Sequence, residues 1–136
     1  MIGLDTNVLV RFLVRDDEEQ HQRVVDLLRR GADEDETFFV GDIVLAEVVW
    51  VLASRYRCTR DEISVVVRQL AEVQELAFDS ADRIVRALRA FEQGKGGFAD
   101  YLIAEQARDA GCSSVVTFDR ALHADVGFSP VAGPLG

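Results

Sequence analysis

The sequence has one lysine, two histidines and two cysteines, and it lacks a long uninterrupted apolar run. Cys58 and Cys112 form no CxxC pair and have no histidine nearby in sequence, which argues against a zinc site and a thiol nucleophile. The longest apolar stretch, "IVLAEVVWVLA", is interrupted by Glu47 and is too short to span a bilayer. The first residues also lack the basic and apolar segments of a secretion signal. These absences predict a cytoplasmic protein with reduced thiols and no membrane association.

The formal net charge of −9 argues against broad, sequence-independent binding of nucleic acid, which depends on lysine and arginine. It does not exclude a nucleic-acid enzyme, because a carboxylate cluster can hold divalent cations that meet phosphate. The length of 136 residues and the hydrophobic content of 49% fit one folded domain with a sizeable core.

Short apolar runs alternate with amphipathic segments along the chain. Strands are predicted at 1–4, 37–40, 76–78 and 114–118, the last of a fully buried type, with an edge strand and a loose terminus in 127–136. Helices are predicted at 7–14, 18–31, 42–56, 61–73, 80–95 and 98–111. Thr59 and Glu62 form a capping-box pattern before the fourth helix. This order predicts an α/β fold with a parallel sheet flanked by helices, whose ligands lie beyond the carboxyl ends of the strands.

Four acids lie where such a fold places ligands. Asp5 and Asp119 each follow a strand, so we expect them at the same sheet edge, although either side chain could also cap a helix. Glu47 is the one ionisable residue of an apolar helical segment, and must therefore be exposed, protonated, paired or bound to metal. Asp100 opens a helix after "GKGG", where the helix dipole alone would favour an acid.

Four carboxylates at one edge would repel one another strongly unless they took up protons or bound cations. A ligand set of oxygens fits Mg²⁺ or Mn²⁺, and the absence of a histidine and cysteine set argues against zinc. A magnesium site that meets phosphate indicates metal-assisted phosphodiester hydrolysis.

Four segments in this order resemble the PIN-domain ribonucleases, most closely the VapC-type toxins of type II toxin–antitoxin systems. These segments are "IGLDTNVLVRFL", "IVLAEVVWVL", "GGFADYLIAEQARDAGC" and "VVTFDRAL". The resemblance covers residues 1–128, which it defines as a PIN domain, and leaves 129–136 as a strand end or loose tail. It implies a three-layer α/β/α sandwich with a central parallel sheet, and an endoribonuclease that depends on Mg²⁺ or Mn²⁺.

The resemblance also implies roles for individual residues. Catalytic and metal-binding positions carry over to Asp5, Glu47, Asp100 and Asp119, of which Asp119 matches the most variable position. Supporting polar positions carry over to Thr6, Asn7 and Thr117. The implied substrate is structured RNA, such as a tRNA or rRNA loop. The implied partners are a VapB-type antitoxin that neutralises the toxin and a second copy in a homodimer, with a heterotetramer or larger assembly when the antitoxin is bound.

Several further assignments stay open on the sequence alone. Basic residues that could meet the RNA backbone are Arg11, Arg15, Arg83, Arg86, Arg89 and Lys95, although solvated surface arginines are the commoner case. Trp50 could line an antitoxin groove, but a core tryptophan is more common.

Two other classes of α/β protein lack a residue that they require here. Haloacid-dehalogenase-like phosphatases need a second aspartate where Asn7 stands, and response-regulator receivers need a late lysine after a strand. The remaining alternative is a catalytically silent PIN-like module that binds RNA or a protein partner.

Overall fold

Helices and short parallel strands alternate in the computed structural model, which describes residues 1–132. The strands are β1 (Ile2–Gly3), β2 (Phe38–Val40), β3 (Leu76–Phe78), β4 (Val115–Thr117) and β5 (Phe128–Pro130). The helices are α1 (Thr6–Leu13), α2 (Glu18–Asp33), α3 (Asp42–Ser54), α4 (Arg60–Glu72), α5 (Ala81–Gln93) and α6 (Phe98–Asp109). The α/β prediction is confirmed, and every strand pairing among the described residues is parallel.

The chain divides into two compact units, and the second begins at Asp82. The first unit contains a three-stranded sheet in the order β1-β2-β3, in which Ile2 pairs with Phe38 and Phe38 with Leu76. Its core includes Leu9 of α1, Val48 of α3 and Val67 of α4, all almost fully buried. None of the helices within residues 1–132 combines the length and the hydrophobicity that a bilayer span requires.

Local signals in the sequence explain where the helices begin and end. The predicted capping box at α4 is present, because Thr59 Oγ1 accepts from Glu62 N while Glu62 Oε1 accepts from Thr59 N. The backbone N–H of Thr59, and after it the Thr59 side chain, lower the pKa of Glu62 by hydrogen bonding to its carboxylate. After α6 the chain reverses at Gly111, whose φ of 96° is a conformation that glycine adopts without strain.

The second unit contains β4 and β5, which pair from Val115 with Phe128 to Thr117 with Pro130. The prediction that 114–118 is a fully buried strand is wrong, because Val116 is 64% exposed and Phe118 is 85% exposed. The predicted edge strand corresponds to β5, whereas residues 133–136 of the predicted loose terminus lie outside the described residues.

Candidate active site

Thr6 connects two of the four predicted site acids within the first unit. Its backbone N–H donates to Asp5 Oδ1 at 2.7 Å, and its hydroxyl donates to Glu47 Oε2 at 3.0 Å. Thr6 is buried, whereas Asp5 and Glu47 are exposed. One buried residue therefore orients two solvent-facing carboxylates that are 42 positions apart in sequence.

Asp5 combines a structural and a chemical capacity. It occupies the N-cap position of α1 with extended backbone angles, as the capping interpretation predicts. Its Oδ1 accepts from the adjacent Thr6 N–H, and its Oδ2 accepts no hydrogen bond from the residues described in 1–132. The same is true of Glu47 Oε1. Each carboxylate therefore keeps one oxygen available for a ligand.

Two acids that the sequence interpretation missed, Asp42 and Asp79, follow β2 and β3, the strands that share a sheet with β1. Asp79 directly follows β3, and its Oδ2 accepts from the backbone N–H of Asp42 at 2.9 Å. This bond anchors the first turn of α3, whose N-cap residue Gly41 has no side chain to cap it. Since α3 carries Glu47, Asp79 helps to fix the position of that carboxylate. The signal was available, because Asp79 follows a strand just as Asp5 does.

The other two predicted acids lie in the second unit and serve as local caps. Asp100 is half-buried in the first turn of α6, and its Oδ2 accepts from Gly97 N at 2.9 Å. Asp119 is exposed, and its Oδ1 accepts from Ala121 N at 3.0 Å at the start of the short 3₁₀ helix Arg120–Leu122. Within residues 1–132, no three acid, histidine or cysteine side chains come together as a set that could hold a metal ion. The expectation that Asp5 and Asp119 follow strands of one sheet is wrong, because Asp5 follows β1 of the three-stranded sheet and Asp119 follows β4 of the two-stranded sheet. The joining of all four acids in one site stays a prediction.

The turn before Asp100 is shaped by close packing. Tyr101 accepts a hydrogen bond from Gly96 N at 2.9 Å and donates to Asp125 Oδ2 at 2.5 Å. A Cβ atom on Gly94 would lie 1.9 Å from the Tyr101 hydroxyl oxygen, so glycine is required there for space. The glycines of "GKGG" therefore allow Tyr101 to hold the loop that leads to Asp100.

The remaining predicted supporting residues occupy local positions near these acids. Thr117 Oγ1 accepts a hydrogen bond from Asp119 N at 3.0 Å. This bond fixes the backbone of Asp119, which caps the 3₁₀ helix. The Thr117 carbonyl oxygen lies 2.9 Å from His123 Nε2. Asn7 is exposed and lines a groove between α1 and α2.

Most arginines predicted to meet RNA are engaged in ion pairs. Arg11 contacts Asp16 at 2.9 Å, and Arg15 contacts Glu18 at 3.2 Å. The hydrogen bond from Tyr56, aided by Arg11, lowers the pKa of Asp16. These pairs organise the connection between α1 and α2, and their contact with RNA remains a prediction.

In the second unit, arginines connect α5 to α6. Arg83 and Arg86 both bind Asp109, at 2.9 Å and 2.6 Å, and Arg86 also binds Glu105 at 2.8 Å. The Glu105 hydrogen bond raises the pKa of Arg86, while hydrogen bonds from Arg83 and then Arg86 lower the pKa of Asp109. Arg89 is exposed on the same helix.

Trp50 differs from its expected place in the core, because its side chain is 70% exposed on α3. The buried positions of this helix are instead filled by Leu45, Val48, Val49 and Leu52. Apolar residues lie on all sides of α3, and the rest of the protein covers only some of them. The sequence therefore does not indicate which side faces solvent.

Comparison with known proteins gives one family and one curated relative. Residues 2–128 match the PIN domain family. The VapC ribonuclease of Aquifex aeolicus (strain VF5) is 28% identical to the chain over 128 residues, which make up 94% of this chain and 93% of the relative. The family match includes all four predicted site acids, and it confirms the resemblance that the sequence motifs indicated.

We expect removal of the Thr6 hydroxyl to lower the rate of RNA cleavage, because Thr6 orients the Asp5 and Glu47 carboxylates. Thr6→Val keeps the shape of the side chain but releases Glu47 Oε2, and loss of such an outer contact typically costs about 10- to 100-fold in activity or metal affinity. Thr6→Ser keeps the hydroxyl and is the matched control. The measurement is the RNA cleavage rate beside thermal unfolding. Wild-type cleavage by a folded Thr6→Val variant would contradict this role.

Proposed function

Since the chain belongs to the PIN domain family, we propose that it is a metal-dependent endoribonuclease that hydrolyses phosphodiester bonds in structured RNA. The observation that carries the proposal is the pairing of Asp5 with Glu47 through Thr6. This pairing presents two carboxylates with free oxygens on a rigid support. The VapC ribonuclease named above supports the same activity, because its alignment covers nearly the full length of both chains.

The donor chemistry of the acids fits Mg²⁺ or Mn²⁺. Asp5 and Glu47 offer hard carboxylate oxygens, and in our proposal Asp100 and Asp119 complete the ligand set. When bound, the cation would supply positive charge that stabilises the phosphodiester as negative charge builds up during hydrolysis.

The residues of the chain provide the fixed geometry for this chemistry. Thr6 orients the Glu47 carboxylate, and Asp79 anchors the helix that carries it. In the second unit, Tyr101 and Thr117 fix the backbone segments that carry Asp100 and Asp119. No histidine is hydrogen-bonded to any of the four acids among the described residues, since His21 contacts the Arg11 carbonyl oxygen and His123 that of Thr117. The proposed mechanism therefore assigns no histidine base.

The proposed biological role is that of a toxin held inactive by a VapB-type antitoxin. The proposed substrate is a tRNA or rRNA loop, which places the activity in the cytoplasm. We further propose that the chain forms a homodimer and that antitoxin binding produces a heterotetramer or larger assembly. These proposals rest on the VapC ribonuclease relative and on the motif resemblance.

A cleavage assay with total cellular RNA tests the proposed activity. We expect specific fragments in magnesium or manganese and at least about a 100-fold lower rate in EDTA, because the carboxylates then have no cation to present to phosphate. Addition of excess magnesium after EDTA is the control, and should restore cleavage. Equal cleavage with and without EDTA would contradict metal dependence. RNA binding without cleavage in either metal would favour the alternative of a silent binding module.

A further inference from the structure

The groove between α1 and α2 is rich in arginine although the chain as a whole is acidic. It has a volume of about 830 Å³ and lies entirely within the first unit. Its charged lining consists of four arginines and two aspartates, which are Arg11, Arg23, Arg29, Arg30, Asp26 and Asp33. The formal charges of the lining residues sum to +2, or to +1 with the Asp16 partner of Arg11 included, in a protein whose formal net charge is −9.

Three of these guanidinium groups are available for a ligand. Arg23, Arg29 and Arg30 are exposed on α2, and none of them has an ion pair or side-chain hydrogen bond to another residue within 1–132. Arg11 differs, because it is held by Asp16 and by Gln20 Oε1 at 2.7 Å. Unpaired arginines that share one concave surface provide the forked donors that phosphate groups accept.

The groove shares helix α1 with the candidate active site. Asn7 lines it, and Asn7 follows Asp5 and Thr6 directly in the first turn of α1. Its apolar floor is formed by Val8, Val24 and Leu27, over which the sugar of a nucleotide or the stem of an arginine can lie. The helix that begins at Asp5 therefore also forms one wall of the groove.

We infer that this groove binds the sugar–phosphate backbone of RNA next to the cleaved bond, with Arg23 and Arg30 as phosphate contacts. This inference rests on the proposed ribonuclease function. A polyanion matches the positive lining, and it is the ligand for which an acidic nuclease most needs a local positive surface. Phosphate contacts of this kind position the substrate and carry no sequence information by themselves.

The test measures RNA binding without cleavage. A single-stranded oligoribonucleotide is titrated in EDTA over a series of salt concentrations with wild type, Arg23→Gln, Arg30→Gln and the double variant. The double variant should bind at least about tenfold more weakly, because two charge-assisted hydrogen bonds are lost. The slope of log affinity against log salt should become shallower by about 1.4, or ~0.7 for each phosphate contact with a single strand.

The matched control is the double variant Arg55→Gln and Arg108→Gln, which removes two charges from exposed positions that do not line the groove. It should change the salt slope by less than half as much. An equal loss in both double variants would overturn the inference, because net charge alone would then explain binding. An unchanged salt slope in Arg23→Gln and Arg30→Gln, with folding intact by circular dichroism, would also overturn it.

Two further outcomes separate the alternatives. If the groove substitutions leave RNA affinity unchanged but alter the mass of the protein in light scattering, the groove contacts protein and the inference is wrong. If wild type binds the oligonucleotide with the predicted slopes yet cleaves no RNA in magnesium or manganese, the groove is supported and the proposed ribonuclease function fails.

Discussion

Asp5→Asn and Glu47→Gln are each expected to lower RNA cleavage at least about 100-fold while leaving the protein folded. Both substitutions remove a negative charge, and the loss of a direct ligand should exceed the roughly 10- to 100-fold effect of losing an outer contact. Both keep an oxygen that can accept the hydrogen bond from Thr6, so the local structure should persist. The measurements are cleavage rate in magnesium, manganese titration by calorimetry and thermal unfolding.

The folding control is built into these substitutions. Asparagine caps a helix about as well as aspartate, so α1 should keep its start in Asp5→Asn. Glu47 is exposed, so the amide of glutamine meets no apolar surroundings. Unfolding free energies within about 0.5 kcal/mol of wild type are expected for such surface changes. Cleavage at the wild-type rate by either folded variant would show that the Asp5 and Glu47 pair is not the active site.

Wild type and Asp5→Asn also test the proposed toxicity in a bacterial cell. Induction of the wild type should slow growth, and induction of Asp5→Asn to the same soluble level should not. Equal growth of both cultures would count against a toxin even if the purified protein cleaves RNA.

The secondary structure could be predicted because its signals are local. The capping box at Thr59 and Glu62 and the turn at Gly111 each depend on a few neighbouring residues. The same is true of α5, where Ile84, Leu88 and Phe91 recur at helical spacing and are buried. All six predicted helices are therefore present with ends that differ by a few residues.

Burial could not be predicted where it depends on which elements cover one another. An apolar run such as 114–118 indicates a strand but does not say whether both of its faces are covered, and here Val116 and Phe118 are exposed. Trp50 on α3 gives the same result, because an apolar helix has no polar stripe to mark its solvent face.

The candidate site was predictable in its residue types and less so in its supports. The sequence predicted a site of four acids, which stays a prediction. The structure connects two of them, Asp5 and Glu47, through buried Thr6. Asp79 follows β3 just as Asp5 follows β1, so its place at a strand end was readable from the sequence. Its contact with the start of α3 was not, because that contact depends on the order of strands in the sheet.

We expect Asp100→Asn to lower cleavage at least about 100-fold and Asp119→Asn to keep activity within about tenfold of wild type. In both variants the amide oxygen can still accept the local capping bond, from Gly97 N or from Ala121 N, so neither turn should unfold. The Gly96 turn before Asp100 is held by Tyr101, which makes its shape independent of the Asp100 charge. The difference between the variants should therefore report the chemistry of the two carboxylates.

The reason for the unequal effects is the surroundings of each acid. Asp100 is half-buried on the first turn of a twelve-residue helix, which supports it rigidly. Solvent or a neighbouring side chain cannot easily take the place of its negative charge there. Asp119 is exposed at a three-residue 3₁₀ helix, where an amide oxygen or solvent can take over part of its role. Cleavage rates of the two variants over a manganese titration measure this difference. A faster Asp100→Asn than Asp119→Asn, with both proteins folded, would reverse the assignment and make Asp119 the more important ligand.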